Sequence, residues 1–525
     1  MDGGGLARAS AGTPALPMPM WSHGDVLLKE FLVRCLQALT AGDRRAFADF
    51  LHSQPAPSAA SMCSGSEAPI LAIASIQAAC AEVFGFRWEC AHAFSAEINP
   101  GKRRFLQMMY GDRIPLLFGD CTEMQAEGLD FLSHRWTEVP AATYFFAGFP
   151  CQNVSQLSCE ATQHREAFKG DMSGVPKTGR VFKNGVCNYL RMHGENMRAF
   201  VLENVMGLNA GPKPTPLDCC LRDLRDLGYW CVACRCSPTD FGFPIDRPRV
   251  WIIGMQQKAL DDSGVDPAML ERLVQSSLDS WASCRVSGLT FEHTLLPDDH
   301  PHVQKIIETC KGMPNVVYTR PLKIQRQKKH QPWHEAHLCL ARAEGNEAWY
   351  ESGIPSSDIQ DLYPTLRMLT PREFDMLHLR YAAKYPEKQR RILDLSQSMN
   401  RQQKGRADVG ATLTPNGRYF LTDKLRLVDG VECCLQQGLH WGPHTVSMLA
   451  RFKSGHLSEL AGNAFHTWVC AAMTLTAQRL GSFLRVHTLH SLPSPSSDAV
   501  LLAKPAEQAP EDANSNADAL DMFWG

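Results

Sequence analysis

Apolar residues recur along this chain with two periods. Between Met62 and Met255, short apolar runs alternate with helical or loop stretches; examples are TYFFAGF (143–149), AFVLENV (199–205) and RVWIIG (249–254). Runs of that length bounded by turn residues read as buried strands. Their alternation with helices predicts an α/β domain with a largely parallel, doubly wound sheet. Upstream, Leu28, Phe31, Leu32, Cys35, Leu36 and Leu39 fall at helical spacing. They predict a helix over 25–39 with Asp25 as N-cap. The longest apolar stretch, Ala68 to Phe84, is interrupted by Ser75, Gln77 and Glu82. It is shorter than the about 20 residues of a bilayer span, so it reads as a buried helix and no membrane is expected. Toward the C-terminus, Phe465, Trp468, Val469, Ala472, Met473, Leu475 and Leu480 share one face of a helix beginning at Asn463.

Residues 256–405 lack this alternation. They hold two basic runs, TRPLKIQRQKKH (319–330) and KQRR (388–391), the second followed by RQQKGR (401–406). Two such runs in one segment suggest a face that contacts phosphates. Residues 1–20 are rich in Gly, Ala and Pro, and the stretch from His487 is rich in Pro, Ser, Ala and Asp, ending ALDMFWG. Both read as disordered.

Composition narrows the picture. A formal net charge of −2 over 525 residues excludes a uniformly basic nucleic-acid binder; any basic surface is local. Nineteen cysteines, scattered and odd in number, read as reduced thiols. The N-terminal residues lack the charged segment and apolar core of a secretory signal. Cys231, Cys234 and Cys236, with Cys219 and Cys220 nearby, do not form two clean Cys-x-x-Cys pairs. They read as buried thiols, and no metal site is expected.

Three residues stand out for chemistry. Cys151, in GFPCQNVS (148–155), follows an apolar strand broken by Gly148 and Pro150. In α/β folds ligands gather at carboxyl ends of strands, and a thiolate there is strongly nucleophilic. Glu203, in LENV (202–205), also ends an apolar strand, where a carboxyl can act as an acid at a ring nitrogen. In FGFPIDRPRVWIIG (241–254), Arg247 and Arg249 alternate into a strand. Alternation predicts two guanidiniums on one face, suited to phosphate or carbonyl oxygens.

GFPCQ, then ENV, then Gly-x-Pro-x-x-Arg-x-Arg before an apolar strand resembles the DNA cytosine-5 methyltransferases. The resemblance continues through GDC (119–121), TGRVF (178–182), ATLTPNGRYF (411–420), RLVDGVECCLQQGL (426–439) and LAGNAF (460–465), and covers about residues 61–482. It implies a Rossmann-like S-adenosylmethionine-dependent domain with a smaller target-recognition domain. The expected layout is a disordered arm 1–24, a helical segment 25–60, a catalytic part 61–255, a recognition domain 256–410, a completing catalytic part 411–485 and a tail 486–525.

The resemblance also implies roles. Cys151 would add to carbon 6 of a cytosine flipped out of duplex DNA, and Glu203 would hold the exocyclic amine and protonate N3. Arg249 would contact the ring carbonyl, and Arg247 would position Glu203 or the backbone. Gln152, Ser155 and Asn204 would face the base. For the cofactor, Glu97 and Ile98 would take the ribose side and Asp120 with Cys121 the adenine. Pro150, Asn463 and Ala464 would complete the pocket. Ser64, Gly65 and Glu67 of the glycine turn MCSGSEAP (62–69) would also meet the cofactor, although the turn is irregular: it keeps Gly65, and the usual second glycine is replaced by Glu67 or displaced. Ile245 stands where the family commonly has glutamine. The expected location is the nucleus, with double-stranded DNA and recruiting proteins as partners. A tRNA methyltransferase and a catalytically silent relative are the alternatives.

Overall fold

The computed structural model describes residues 20–151, 154, 177–211, 213–316, 337, 339, 342, 357–382, 392–397 and 409–491. Gln152, Ser155, the basic runs at 319–330, 388–391 and 401–406, and the terminal stretches 1–19 and 492–525 lie outside them.

The large sheet is built from β1 (Ser58–Met62), β2 (Ala91–Ala96), β3 (Leu117–Phe118), β4 (Glu127–Asp130), β5 (Arg135–Glu138), β6 (Tyr144–Ala147), β7 (Ala199–Val205), β8 (Tyr229–Cys236) and β9 (Arg249–Gln256). Their order is β5-β4-β3-β2-β1-β6-β7-β9-β8. The five central strands, β3 to β7 in that order, pair in parallel. The β4–β5 hairpin extends one edge antiparallel, and β9 with β8 extends the other. The chain runs from β1 outward to β2 and β3, then returns to β6 beside β1. The loops leaving β1 and β6 therefore part at the carboxyl edge of the sheet, the crevice where doubly wound folds bind ligands.

Side chains alternate between the two faces as strand geometry requires. Ala59, Tyr144, Phe146, Ala199, Val201, Trp251 and Ile253 join one apolar cluster, whereas Ala60, Phe145, Phe200, Leu202, Val250 and Ile252 join another. The first face is covered by α1 (Met20–Ala38), α2 (Ala41–His52), α3 (Ala68–Phe84) and the C-terminal helix Thr467–Ser491. The second is covered by residues 181–190 and the helix Pro216–Asp226. Burial on both faces is why the central strands read as continuous apolar runs.

The N-terminal helix differs from expectation at its start. It begins at Met20 and is broken at His23. Asp25 therefore lies inside it, and its carboxylate pairs with His440 Nδ1 at 3.2 Å. Phe31 stacks on Trp468 with ring centres 5.2 Å apart, both rings fully buried, so α1 is part of the main core. The helix expected to begin at Asn463 begins at Thr467 and runs to Ser491, and Asn463 is the last residue of a separate helix, Ser454–Asn463. Within that preceding helix, a Cβ on Gly462 would sit 2.3 Å from Pro415 N, so the backbones of 462 and 414–415 are in contact.

Beyond β9, the helix Pro267–Ser283 packs on the C-terminal helix, where Trp281 Nε1 donates to Thr476 Oγ1 at 3.0 Å. A small antiparallel sheet of β10 (Ile392–Asp394), β11 (Tyr419–Leu421) and β12 (Arg426–Leu427) has its own apolar cluster with Leu366, Phe374 and Leu377. Its strands come from either side of position 410. Among the described residues no helix is long and apolar enough to cross a membrane.

Removing the Phe31 ring should lower the unfolding free energy by about 3–5 kcal/mol, the usual loss for a buried phenylalanine. Urea denaturation of Phe31→Ala measures it; a loss under about 1 kcal/mol would mean that α1 is not part of the core.

Candidate active site

A cleft of about 630 Å³ opens between the β1 and β6 loops. Cys151 lies on its wall, half-buried, at the end of the loop 148–151 that follows β6. That loop is drawn inward at two points. A Cβ at Gly148 would meet Phe465 Cε1 at 2.4 Å, so only glycine lets the chain pass there. Asn204 Nδ2 donates to Phe149 O at 3.0 Å, while Asn204 Oδ1 accepts from Val205 N. The end of β7 thus fixes the loop that carries the thiol. Asn204, expected to face a substrate, is nearly buried and serves as this tie at the cleft wall.

Strand register brings Glu203 and Arg249 together. Glu203 of β7 pairs with Trp251 of β9, and Val205 with Arg249. Glu203 and Arg249 are therefore diagonal neighbours on one face of the antiparallel pair. Arg249 Nε lies 3.0 Å from Glu203 Oε1, with both side chains largely shielded. Burial raises the Glu203 carboxyl above its ordinary value, against the pull of Arg249 and Arg247. The Cys151 thiol is also raised, first by burial and then by the Glu203 charge, with both arginines opposing. A carboxyl that holds its proton more readily than usual is suited to donating it.

Arg247 departs from the alternation argument. β9 starts at Arg249, so Arg247 sits in the loop before the strand. Its buried guanidinium donates to three backbone carbonyls: Leu413 O at 2.7 Å, Gly462 O at 3.0 Å and Ala464 O at 2.9 Å. Its partners are three carbonyls and no carboxylate, and Nε is buried without a partner; burial depresses its pKa to about 9. Arg247 ties the β9 loop, the 411–415 return and the junction between the last two helices into one unit. Ile245 belongs to the same unit. It is fully buried and bridges Gly410, flanked by Asp246 N to Gly410 O and Gly410 N to Pro244 O.

The other half of the cleft lies at the ends of β1, β2 and β3. Glu97 Oε2 accepts from Gly65 N at 3.0 Å and Oε1 from Asn99 N at 2.8 Å. Ile98 stands beside it with 53% of its surface exposed, on the cleft lining. Asp120 Oδ1 accepts from the backbone and hydroxyl of Thr122. Cys121 faces Cys63, whose thiol is pushed well up by their hydrogen bond and by burial. This set suits a nucleoside: a carboxylate for hydroxyls, an exposed aliphatic surface for a flat ring, and a second carboxylate for an exocyclic amine. The residues fit S-adenosylmethionine on that chemistry.

Of the residues expected from the sequence, Cys151, Glu203, Asn204, Arg247, Arg249, Gly65, Glu97, Ile98, Asp120, Cys121, Pro150 and Asn463 all border this one cleft. Three do not. Ser64 turns its hydroxyl to the backbone of Ala96. Glu67 is buried under the turn. Ala464 is buried, with its carbonyl on Arg247. Gln152 and Ser155 lie outside the described residues. The sequence reading missed Asn99, Lys102, Arg180 and Glu459, which also line the cleft. Asn99 could have been found, because Asn-Pro is a helix-start signal and Asn99 caps α4 (Pro100–Tyr110) by accepting from Lys102 N. Lys102 and Glu459 meet across the mouth at 3.9 Å, a long-range pairing no local pattern shows. Cys234 is half-buried on β8 against Met473, and among the described residues no His/Cys/Asp/Glu group is arranged to hold a metal ion.

Arg247 and Arg249 should respond differently to truncation. Arg247→Ala strands three carbonyls and should lower the unfolding free energy by about 3 kcal/mol. Arg249→Ala leaves Glu203 free to take up a proton, and should lower it by about 1 kcal/mol. Urea melts of both variants decide; the reverse ranking would contradict the assignment.

The family model of the C-5 cytosine-specific DNA methylases matches residues 82–277, the stretch containing Cys151, Glu203, Arg247 and Arg249. DNA (cytosine-5-)-methyltransferase DMT5 of Cryptococcus neoformans var. grubii is 24% identical over 460 residues, 84% of this chain and 18% of that protein. The type II methyltransferase M.NlaIV of Neisseria lactamica is 24% identical over 248 residues, 46% of this chain and 48% of that protein. The chain thus spans less than half the length of either relative. The crystal structure of S. pombe Dnmt2 methyltransferase aligns with 80% of this chain and 98% of its own, at 12% identity and a TM-score of 0.39; that likeness bears on neither substrate nor mechanism. Residues 82–277 thus match the C-5 cytosine-specific DNA methylase family, whose members use S-adenosylmethionine.

Proposed function

We propose that this protein methylates carbon 5 of cytosine in DNA through a covalent adduct with Cys151. The observation that carries the reading is the convergence of Cys151, Glu203 and Arg249 on one wall of the cleft, opposite Glu97 and Asp120. Neither half alone specifies the reaction. A thiol, a raised carboxyl and a paired guanidinium facing a nucleoside site suit addition to a pyrimidine ring.

The residues act in sequence. Arg249 holds Glu203 by its Nε contact and donates from Nη1 to Pro248 O, which leaves Nη2 to serve a ring carbonyl. Glu203 donates its proton to N3 as Cys151 Sγ, deprotonated, bonds to carbon 6. The electron pair of the 5,6 double bond then resides at carbon 5. S-adenosylmethionine, when bound, supplies the electrophilic methyl group. Solvent takes the proton from carbon 5, the double bond re-forms and the Cys151 thiolate is expelled, and N3 returns its proton to Glu203. A cytosine inside a duplex is shielded from such attack, so the base is flipped into the cleft. DNA is favoured as substrate because the relatives named above are described as DNA-acting or type II methyltransferases. The same reading places the protein in the nucleus, recruited to DNA by partner proteins.

Cys151→Ser should reduce methyl transfer to background. Glu203→Gln should lower it by on the order of a hundredfold, the usual share of a general acid. Tritium transfer from S-adenosylmethionine to duplex DNA, with tRNA as competitor, measures both. Retained activity in Cys151→Ser would overturn the nucleophile, and a preference for tRNA would overturn the substrate.

A further inference from the structure

The turn between β1 and α3 holds a side chain that the reaction leaves idle. Glu67 is fully buried, does not border the cleft, and sits at the start of α3 with φ +53°. A left-handed backbone disfavours a side chain, and burial disfavours a carboxyl. Both penalties fall on one residue, in the turn that opens the ligand crevice.

Its contacts connect it to that crevice. Glu67 Oε1 accepts from Ser61 Oγ. Ser61 Oγ lies 2.5 Å from Ser64 Oγ, and Ser64 Oγ lies 3.1 Å from Ala96 N and 3.2 Å from Ala96 O. The next residue is Glu97, whose Oε2 accepts from Gly65 N. From α4, Tyr110 OH donates to Ser66 O or Glu67 O, fixing the turn from below. The side chain thus closes a ring of hydrogen bonds between the β1 turn and the end of β2. Glu67 Oε2 is buried without a partner.

We propose that Glu67 is a positioning residue for the cofactor: through Ser61 and Ser64, its carboxyl holds the turn that sets Gly65 and Glu97 against the nucleoside. This rests on the S-adenosylmethionine reading of the cleft. The polar and titratable groups around Glu67 are Ser61 on β1, Ser64 in the turn, Ser95 and Glu97 from β2, His92 behind Ser95, Tyr110 from α4 and Cys470 from the C-terminal helix. Burial pushes the carboxyl up to about 7, with the three serines opposing and the Glu97 charge assisting. While it keeps its proton, Oε2 can donate to a neighbouring serine. Once ionised, it puts a second carboxylate beside Glu97, and the turn loosens. Because the folded-state value is raised, the stability contribution is full below the ordinary carboxyl range and is lost as pH rises through about 7.

Calorimetric titration of S-adenosylmethionine, and separately S-adenosylhomocysteine, into the full chain tests this. Wild type, Glu67→Gln and Glu67→Ala are compared at about pH 6 and about pH 8, either side of the titration. Glu67→Gln should bind like wild type at the lower pH and more tightly than wild type at the higher. It should also melt above wild type at the higher pH, the two converging toward about pH 5. Glu67→Ala should bind about tenfold more weakly, the effect of one lost hydrogen bond. A folded alanine variant with wild-type affinity would overturn the proposal. So would a glutamine variant whose affinity follows pH as wild type does, a comparison that stands if the alanine variant fails to fold. Wild type that binds neither ligand would overturn the cofactor reading as well. Binding as expected without methyl transfer supports the role of Glu67 and counts against the reaction alone.

Discussion

Reversal of strand order between β1 and β6 sends two loops apart at the same edge of one sheet, and the cleft is what lies between them. The loop after β1 carries Gly65, whose N–H donates to Glu97 at the end of β2, and this is the side proposed for the cofactor's nucleoside. The loop after β6 carries Cys151, the proposed nucleophile. Parallel strands force both loops to the carboxyl edge, and the antiparallel strand β9 then delivers Arg249 to that edge from the opposite direction. Moving any of these strands by one position would separate the thiol from the carboxyl or the carboxyl from the guanidinium.

Charge in a shielded cleft does the rest. Burial alone would leave Cys151 and Glu203 as neutral, unreactive groups. Arg249 draws Glu203 back toward ionisation, and the two arginines draw Cys151 in the same direction. Arg247 adds its charge to this balance while its hydrogen bonds go elsewhere, to the three carbonyls that lock the C-terminal segment onto the sheet. One guanidinium thereby joins the chemistry to the segment carrying Asn463.

Much of this was legible in the sequence. Apolar runs at 143–149, 199–205 and 249–254 marked three central strands, and each candidate catalytic side chain lies at or near a strand end. Period and composition carry that information locally. What they do not carry is register and long-range contact. Arg247 and Arg249 looked equivalent by alternation; only the start of β9 at Arg249 separates a cleft-facing residue from a buried tie. The helix read as starting at Asn463 starts at Thr467, and Gly462, in the helix before it, meets the backbone at 414–415, nearly fifty positions away. Glu67 looked like a defect in a glycine turn; its ring of serine contacts depends on residues of two strands. Lys102 on α4 and Glu459 on the helix Ser454–Asn463 meet although they are far apart in the chain.

The central claim is that Cys151 forms a covalent bond with the cytosine ring. A duplex containing 5-fluorocytosine blocks loss of the substituent at carbon 5 and holds the adduct. Incubation with the protein and S-adenosylmethionine, proteolysis and tandem mass spectrometry locate the attached nucleotide. The account predicts a single modified site at Cys151, dependent on S-adenosylmethionine for the methylated form. Attachment at another of the nineteen cysteines, or methylation of ordinary cytosine without any trapped adduct, would contradict it.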